Sequence, residues 1–274
     1  MPRITYNEAE VAAFEAARRV PREGLADWRD AVARHLKPRP GMRLLDLGSG
    51  VGMWARDFAD WYGIDVVAVE PSEAMRARAW WPDVLAGDAE AIPLPDASVD
   101  AAWISTVIHQ LPDLRAAAVE LRRVLHSGAP VLIRSVFRGR HDGITLFRFF
   151  TEAVRVLDAY PSVAEVRAAF GEAGFDFVSL EAVRQVTADS LSTAVDRLRR
   201  EAHTPLMLIT DEEYERGLSR MRAAANTQPG PVTDTLDLLV LRRSSNGDRT
   251  GKDSTHDRQT DTEADEHAAG DGVH

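Results

Sequence analysis

The sequence predicts an α/β protein built on a doubly wound, mostly parallel sheet. Between residues 42 and 136 short apolar strands alternate with helical segments, as expected when a crossover helix follows each strand. The run IDVVAV at residues 64–69 is apolar at five of its six positions, which suits a strand covered on both faces. A glycine turn, Gly48 to Gly52, directly follows the first of these strands. Together these observations favour a ligand-binding sheet.

The elements follow from local patterns. Helical spacing of apolar side chains predicts helices before Pro38, where the prolines end them. Ser72 is a suitable N-cap residue, and Pro112-Asp113 opens a later helix. The remaining elements follow from runs of strand length and from helical stripes. Strands are predicted at residues 42–47, 64–69, 84–85, 99–104, 130–136, 175–187 and 236–241, and helices at 53–62, 72–80, 113–127, 143–159, 162–173, 189–201 and 211–225.

Composition predicts one folded domain followed by an acidic tail. The domain is expected over residues 1–243, with a helical N-terminal cap at 1–38 and a helical insert at 188–228. The insert could be a lid over a substrate or a dimer contact. Residues 244–274 carry eight acids against three bases and one large apolar residue. Such a segment buries too little surface to offset its ordering entropy, so it is predicted to be disordered.

Composition also removes several classes of function. The 274 residues include no cysteine, which excludes disulfides, thiolate zinc sites and cysteine nucleophiles. A net charge of −10 argues against a nucleic-acid partner. No run of apolar residues is long enough to span a membrane, and no secretion signal is evident. The sequence therefore predicts a cytoplasmic protein, and its preference for arginine over lysine suggests a GC-rich bacterial genome.

The glycine turn and the acids near it indicate the ligand. Glycines permit positive φ and close approach of a ligand, and the following helix presents free N–H groups. Asp46, two residues before the turn, suits a cationic ammonium group and would repel a pyrophosphate. Glu70 ends the next strand, where a carboxylate can accept both hydroxyls of a ribose. Asp88 follows the third strand. All three acids are expected at the carboxyl edge of the sheet.

Four segments carry a family resemblance. They are LLDLGSGVGMWA (residues 44–55), VVAVEPSEAM (66–75), GDAEAIPLPDASVDAAW (87–103) and IHQLPD (108–113). They resemble the motifs of class I S-adenosylmethionine-dependent methyltransferases, most closely the small-molecule, ubiquinone/menaquinone-methyltransferase-like branch. The resemblance covers roughly residues 39–136 well and the rest only in outline. It is more specific for the fold and the cofactor than for the substrate.

The resemblance implies a seven-stranded, Rossmann-like sheet of order 3-2-1-4-5-7-6 with strand 7 antiparallel. It also implies S-adenosyl-L-methionine as the cofactor. The glycine turn would hold the methionine part, Glu70 the ribose, and the residues after the second and third strands the adenine. The cofactor-binding residues are expected to be Asp46, Gly48, Ser49, Gly50, Gly52, Glu70, Pro71, Ser72, Asp88, Ala89, Ser105 and Thr106.

Two histidines are candidates for the chemistry. His109 follows the fourth strand and His141 the fifth, both at the edge where the sulfonium methyl is expected. An imidazole there can remove a proton near neutral pH, although either residue could equally shape a loop. The predicted reaction is methyl transfer to an O, N or C nucleophile of a small molecule by a monomer or homodimer without a metal. The alternatives are a regulator that binds S-adenosylmethionine and a non-methylating cyclase on the same fold.

Overall fold

The computed structural model describes Val11 and residues 22–245. The predicted acidic tail, residues 244–274, lies outside the described residues apart from Ser244 and Ser245. Most of the first half of the N-terminal cap lies outside them as well. The division of the chain into these parts therefore stays a prediction.

Seven strands form one sheet, in the order β3-β2-β1-β4-β5-β7-β6. Strands β1 to β5 are parallel, and β7 runs antiparallel between β5 and β6. The predicted fold class and strand order are confirmed. The strands are β1 (Arg43–Leu47), β2 (Asp65–Glu70), β3 (Leu85–Ala86), β4 (Ala101–Ser105), β5 (Pro130–Ser135), β6 (Phe175–Ala188) and β7 (Val232–Arg243).

The sheet is buried on both faces, which explains its apolar strands. On β4, Ala101 and Trp103 face one hydrophobic cluster, whereas Ala102 and Ile104 face the other. Alternate side chains of a strand point to opposite faces, so a strand covered on both sides must be apolar throughout. Trp103 is fully buried within an aromatic group that also contains Trp28, Trp54 and Phe58.

Nine α-helices and several 3₁₀ turns complete the described part of the chain. The helices are α1 (Ala26–Leu36), α2 (Met53–Tyr62), α3 (Glu73–Ala77), α4 (Leu114–Val124), α5 (Thr145–Phe149), α6 (Val163–Glu172), α7 (Leu191–Arg197), α8 (Thr204–Met207) and α9 (Asp211–Ala225). The predicted bounds of α2 and α9 are confirmed. Ser72 caps α3 by accepting from the Met75 N–H, and Asp113 caps α4.

Two predicted helices are wrong in their continuity. The helix expected over residues 143–159 is divided into α5 and a 3₁₀ segment, Thr151–Ala159. Phe150 leaves the helical conformation there (φ −106°, ψ 63°), and its fully buried ring packs over Gly217 of α9. Tertiary packing thus interrupts a locally helical pattern. The helix expected at 189–201 ends at Arg197, and the unpredicted α8 follows within the insert between β6 and β7.

Candidate active site

The glycine turn joins β1 to α2 in conformations that require glycine. Gly48, Gly50 and Gly52 have φ of 74°, 57° and 78°, in the left-handed region that side chains disfavour. A Cβ on Gly48 would lie 2.6 Å from Cγ2 of Val107, so the turn also depends on the absence of a side chain. The Gly48 N–H donates to the Val69 carbonyl at 2.8 Å, which ties the turn to β2.

Asp46 is buried close to the glycine turn with one oxygen unsatisfied. It is 1 % exposed, and neither its Oδ2 nor the buried Ser49 hydroxyl has a hydrogen-bond partner among the described residues. Burial and the charge of Glu70 raise the pKa of Asp46 to about 7, while the Ala55 N–H acts in the opposite direction. A ligand ammonium group would both pair the orphaned oxygen and favour its ionised form.

Glu70, at the end of β2, holds the turn from the other side. Its Oε2 accepts from the Gly50 N–H and its Oε1 from the Ser72 N–H, both at 2.9 Å. An ionised carboxylate only accepts hydrogen bonds. Its position at the end of β2, bordering the cavity described next, suits a pair of ligand hydroxyls.

A cavity of about 90 Å³ lies between the glycine turn and the end of β4. We call it the cofactor cavity. Half of the predicted cofactor residues line it: Gly48, Ser49, Gly50, Glu70, Ser105 and Thr106. Val51, Met75 and Trp80 also line it. The ends of β1, β2 and β4 therefore meet at one cavity, as the sheet order requires.

The other six predicted cofactor residues, Asp46 among them, do not line this cavity. Gly52 is the N-cap of α2, and Ser72, which follows Pro71, caps α3. Asp88 Oδ1 accepts from the backbone N–H groups of Glu90 and Ala91, at 3.0 and 3.1 Å, and so stabilises its own turn. Ala89 is buried in the core. The proposed adenine contacts of Pro71, Ser72, Asp88 and Ala89 stay predictions.

Thr106 has a strained backbone at the centre of the site. Its φ is 55°, which is an outlier for a β-branched residue. The Thr106 N–H donates to the Arg134 carbonyl at 2.7 Å, so pairing with β5 helps to hold this conformation. Strain of this kind clusters where a loop is positioned for function.

A second cavity, of about 260 Å³, adjoins the first. We call it the acceptor cavity. The two share four lining residues: Met53, Trp54, Thr106 and Gln110. Most of the acceptor cavity is apolar, with Ile144, Leu146 and Phe147 on one wall. The predicted insert between β6 and β7 supplies Ala194, Leu198, Pro205 and Met221. The insert therefore forms one wall of this cavity, and its role as a lid stays a prediction.

The structure separates the two candidate histidines. His109 lines the acceptor cavity, and its ring stacks on Tyr160 with centroids 4.1 Å apart and planes 5° apart. His141 is not among the described lining residues of either cavity. Its ring instead meets Phe147 edge to face at 5.8 Å. Of the two histidines, only His109 therefore lines a described cavity, and both catalytic roles stay predictions.

The acceptor cavity contains a polar group that was not predicted from the sequence. Arg134, the one charged residue in the buried strand β5, is 6 % exposed and lines the cavity. It donates to Gln185 Oε1 at 2.6 Å and to Ser105 Oγ at 3.2 Å. Asp234 lines the same cavity and accepts from the Thr145 N–H at 2.8 Å. The sequence did contain one signal of this group, namely an arginine inside a mostly apolar strand.

No three histidine or acidic side chains within residues 22–245 come together as a metal site. No helix in the described part of the chain combines the length and apolar character needed to cross a membrane.

The strand order, the glycine turn with its two acids and the adjoining cavities define a class I methyltransferase fold. Residues 45–133 match the family described as "Methyltransferase domain". Residues 45–133 are therefore similar to a methyltransferase domain, and the resemblance drawn from the four sequence segments is confirmed.

Individual relatives agree with this family. A ubiquinone/menaquinone biosynthesis C-methyltransferase of Caulobacter vibrioides is 36% identical over 121 residues, which are 38% of this chain and 48% of that protein. The chain thus spans about half the length of this curated relative. Phosphoethanolamine N-methyltransferase 2 of Haemonchus contortus has TM-score 0.57 at 20% identity, over 88% of this chain and 58% of that one. The cyclase SpnF has TM-score 0.56 at 20% identity, over 84% of each chain.

Proposed function

We propose that the protein transfers the methyl group of S-adenosylmethionine to a nucleophilic atom of a small molecule. The observation that carries the proposal is the pair of adjoining cavities. One has the polar features that suit an adenosyl amino acid, and the other is larger, mostly apolar and separate. A donor in the first and an acceptor in the second would meet at the residues that both cavities share.

The described residues fit the cofactor. The orphaned Asp46 Oδ2 and Ser49 hydroxyl call for polar partners from a ligand. Gly48 and Gly50 have positive φ and no Cβ atom, so a ligand can approach the backbone of the turn closely. When bound, S-adenosylmethionine would supply an electrophilic methyl group on a sulfonium ion.

Each part of the site then has a task. Asp46 would hold the ammonium group, and Glu70 the ribose hydroxyls. Trp54, which borders both cavities, would exclude water and position the two reactants. Orientation and exclusion of water are the main contributions that a protein makes to such a displacement.

His109 is the residue that we propose as a general base. It lines the acceptor cavity, and stacking on Tyr160 fixes the plane of its ring. A base is needed where the acceptor atom carries a proton that must leave. His141 contacts Phe147, which lines the acceptor cavity. We propose that it supports this wall of the cavity, which departs from its predicted catalytic role.

The alternative chemistry has one specific observation in its favour. SpnF is a cyclase, and its fold resembles this chain about as closely as the N-methyltransferase of Haemonchus contortus does. Similarity at 20% identity shows the fold alone, so the reaction has to be decided by the product.

We further propose that the protein is a cytoplasmic monomer or homodimer. We also propose that nucleic acid is not its partner, because the net charge of −10 disfavours contact with phosphates.

The test has two parts, binding and product. Isothermal titration with S-adenosylhomocysteine should show a single site, and Glu70→Ala should weaken it by about 10- to 100-fold, as expected when a hydrogen bond to a charged group is lost. Glu73→Ala is the matched control, since Glu73 is exposed on α3. Incubation with S-adenosylmethionine and a panel of small acceptors should give a product heavier by one CH₂.

The outcomes separate the candidates. Absence of binding to the wild type would refute the proposal outright. Tight binding with turnover but no added CH₂ would favour a cyclase. Equal affinities of the Glu70→Ala and Glu73→Ala variants would remove Glu70 from the site.

A further inference from the structure

We infer that the acceptor is an oxyanion on an apolar body, held with its negative charge against Arg134 beside the methyl-donor end of the site. This inference rests on the proposed function and names the substrate class. It is carried by the position, burial and surroundings of one guanidinium group, together with the charges of the cavity around it.

Arg134 is held rigidly inside the acceptor cavity. Its guanidinium lies 5.0 Å from the ring centroid of Trp28 and 5.3 Å from that of Trp54. Its hydrogen-bond partners include two neutral oxygens, Ser105 Oγ and Gln185 Oε1. An arginine side chain stays protonated in proteins, and its planar fork is suited to a carboxylate.

The position of Arg134 relates it to the donor. Ser105, which it contacts, lines the cofactor cavity, and Trp54, which it stacks on, lines both cavities. An anion paired with this guanidinium would therefore lie near the junction of the two cavities. The negative charge of the acceptor would then be at, or next to, the atom that is methylated.

The charges of the cavity favour an anion. The described lining includes two guanidinium groups, Arg134 inside and Arg197 toward solvent, against the single carboxyl of Asp234. Burial raises the pKa of Asp234, which works against its negative charge, although the charge of Arg134 works in the opposite direction. The apolar walls, such as Leu146 and Phe147, accommodate the remainder of the molecule.

An oxyanion acceptor balances the reaction simply. The acceptor oxygen uses a lone pair to form the new bond to the methyl carbon while the carbon–sulfur bond breaks, and that electron pair stays on sulfur. The acceptor loses its negative charge, the sulfonium loses its positive charge, and no proton has to leave. If the methylated atom is instead a neighbouring protonated carbon or oxygen, His109 would take the proton.

The test compares three probes of one shape. Benzoate, benzamide and benzylamine are titrated by ligand-observed NMR into the wild-type protein saturated with S-adenosylhomocysteine, with 4-nitrophenolate as a second oxyanion. We expect both oxyanions to bind and benzoate to bind about 10- to 100-fold more tightly than benzamide. If benzoate binds and 4-nitrophenolate does not, the acceptor class is restricted to carboxylates. If only 4-nitrophenolate binds, the class is restricted to phenolates.

A variant of Arg134 tests whether this residue causes the preference for benzoate. Arg134→Met should remove the preference for benzoate over benzamide and leave the affinity for S-adenosylhomocysteine unchanged. Arg167→Met is the matched control, because Arg167 also lies over an aromatic ring, that of Phe177 at 4.0 Å, but outside both cavities. It should keep the wild-type preference.

Several results would overturn the inference. Equal binding of benzoate and benzamide to the wild type would do so without any variant, and therefore even if Arg134→Met fails to fold. A preference that survives in Arg134→Met would place the anion elsewhere. Loss of S-adenosylhomocysteine binding in a folded Arg134→Met would instead assign Arg134 to the carboxylate of the cofactor. Failure of the proposed function is separate, since the wild type would then not bind S-adenosylhomocysteine at all.

Discussion

Replacing Asp46 by asparagine should change how the stability of the protein depends on pH. The Asp46 carboxyl is buried and its pKa is about 7, against an ordinary value of 3.8. The folded state therefore holds a proton over a pH range in which the unfolded state has already released it. Stability must fall as pH rises through this range, because the unfolded state binds fewer protons. Asparagine has no proton to lose.

The size of the effect follows from the two pKa values. A rise from 3.8 to about 7 corresponds to about 4 kcal/mol once the group is ionised in both states, at about 1.36 kcal/mol for each pKa unit. Of this, about 2.5 kcal/mol falls between about pH 5 and about pH 8. The free energy of unfolding of Asp46→Asn, relative to the wild type, should therefore increase by that amount over this interval.

The assay is urea unfolding followed by tryptophan fluorescence, without cofactor, across that pH range. Asp65→Asn is the control, since Asp65 is exposed on the neighbouring strand β2. If the curves for Asp46→Asn and the wild type run parallel at all pH values, the reasoning about burial is wrong. The wild-type affinity for S-adenosylmethionine should also rise with pH through about pH 7 and become pH-independent in Asp46→Asn, because the carboxylate form pairs with the ammonium group.

Two further predictions test the turn and the base. Gly48→Ala should cost about 2 to 5 kcal/mol of stability and abolish S-adenosylhomocysteine binding, because it adds left-handed strain and a Cβ 2.6 Å from Val107. Gly41→Ala has the same φ of 74° and nothing within 4 Å of the added Cβ, so it should cost only the strain energy. Equal losses of stability in the two variants would refute the steric argument. His109→Gln should lower turnover by about 100-fold or more on a protonated acceptor and leave S-adenosylhomocysteine affinity unchanged. Its control is His126→Gln, because His126 is a histidine that lines neither cavity. Near-normal turnover of His109→Gln would exclude His109 as the base.

Much of this molecule could be predicted from sequence because the relevant signals are local. The glycine spacing defines the turn, and an acid at the end of a strand must lie at the carboxyl edge of a parallel sheet. Six of the twelve predicted cofactor residues accordingly line one cavity. The alternation of strands and helices, together with the family resemblance, was sufficient for the complete strand order.

Local signals also led to errors. Residues 143–159 have helical spacing throughout, yet the buried ring of Phe150 interrupts the helix where it meets α9. For two site residues the local signal leaves the role open. Asp88 follows a strand as Glu70 does, and its carboxylate accepts from its own turn, while His141 contacts Phe147 and does not line either cavity. Their binding and catalytic roles stay predictions.

The sequence by itself determined the sheet, the glycine turn and the two acids beside it, of which Glu70 lines the cofactor cavity. Only the tertiary structure decided what the acceptor cavity contains. Arg134 on β5, Gln185 on β6 and Asp234 on β7 are far apart in the chain and follow no common spacing. The pairing of the three strands brings them to one cavity: Gln185 pairs directly with Asp234, and the Arg134 side chain reaches Gln185 with a hydrogen bond. Pairing between distant segments is set by how the whole core packs, and a local pattern carries no record of it.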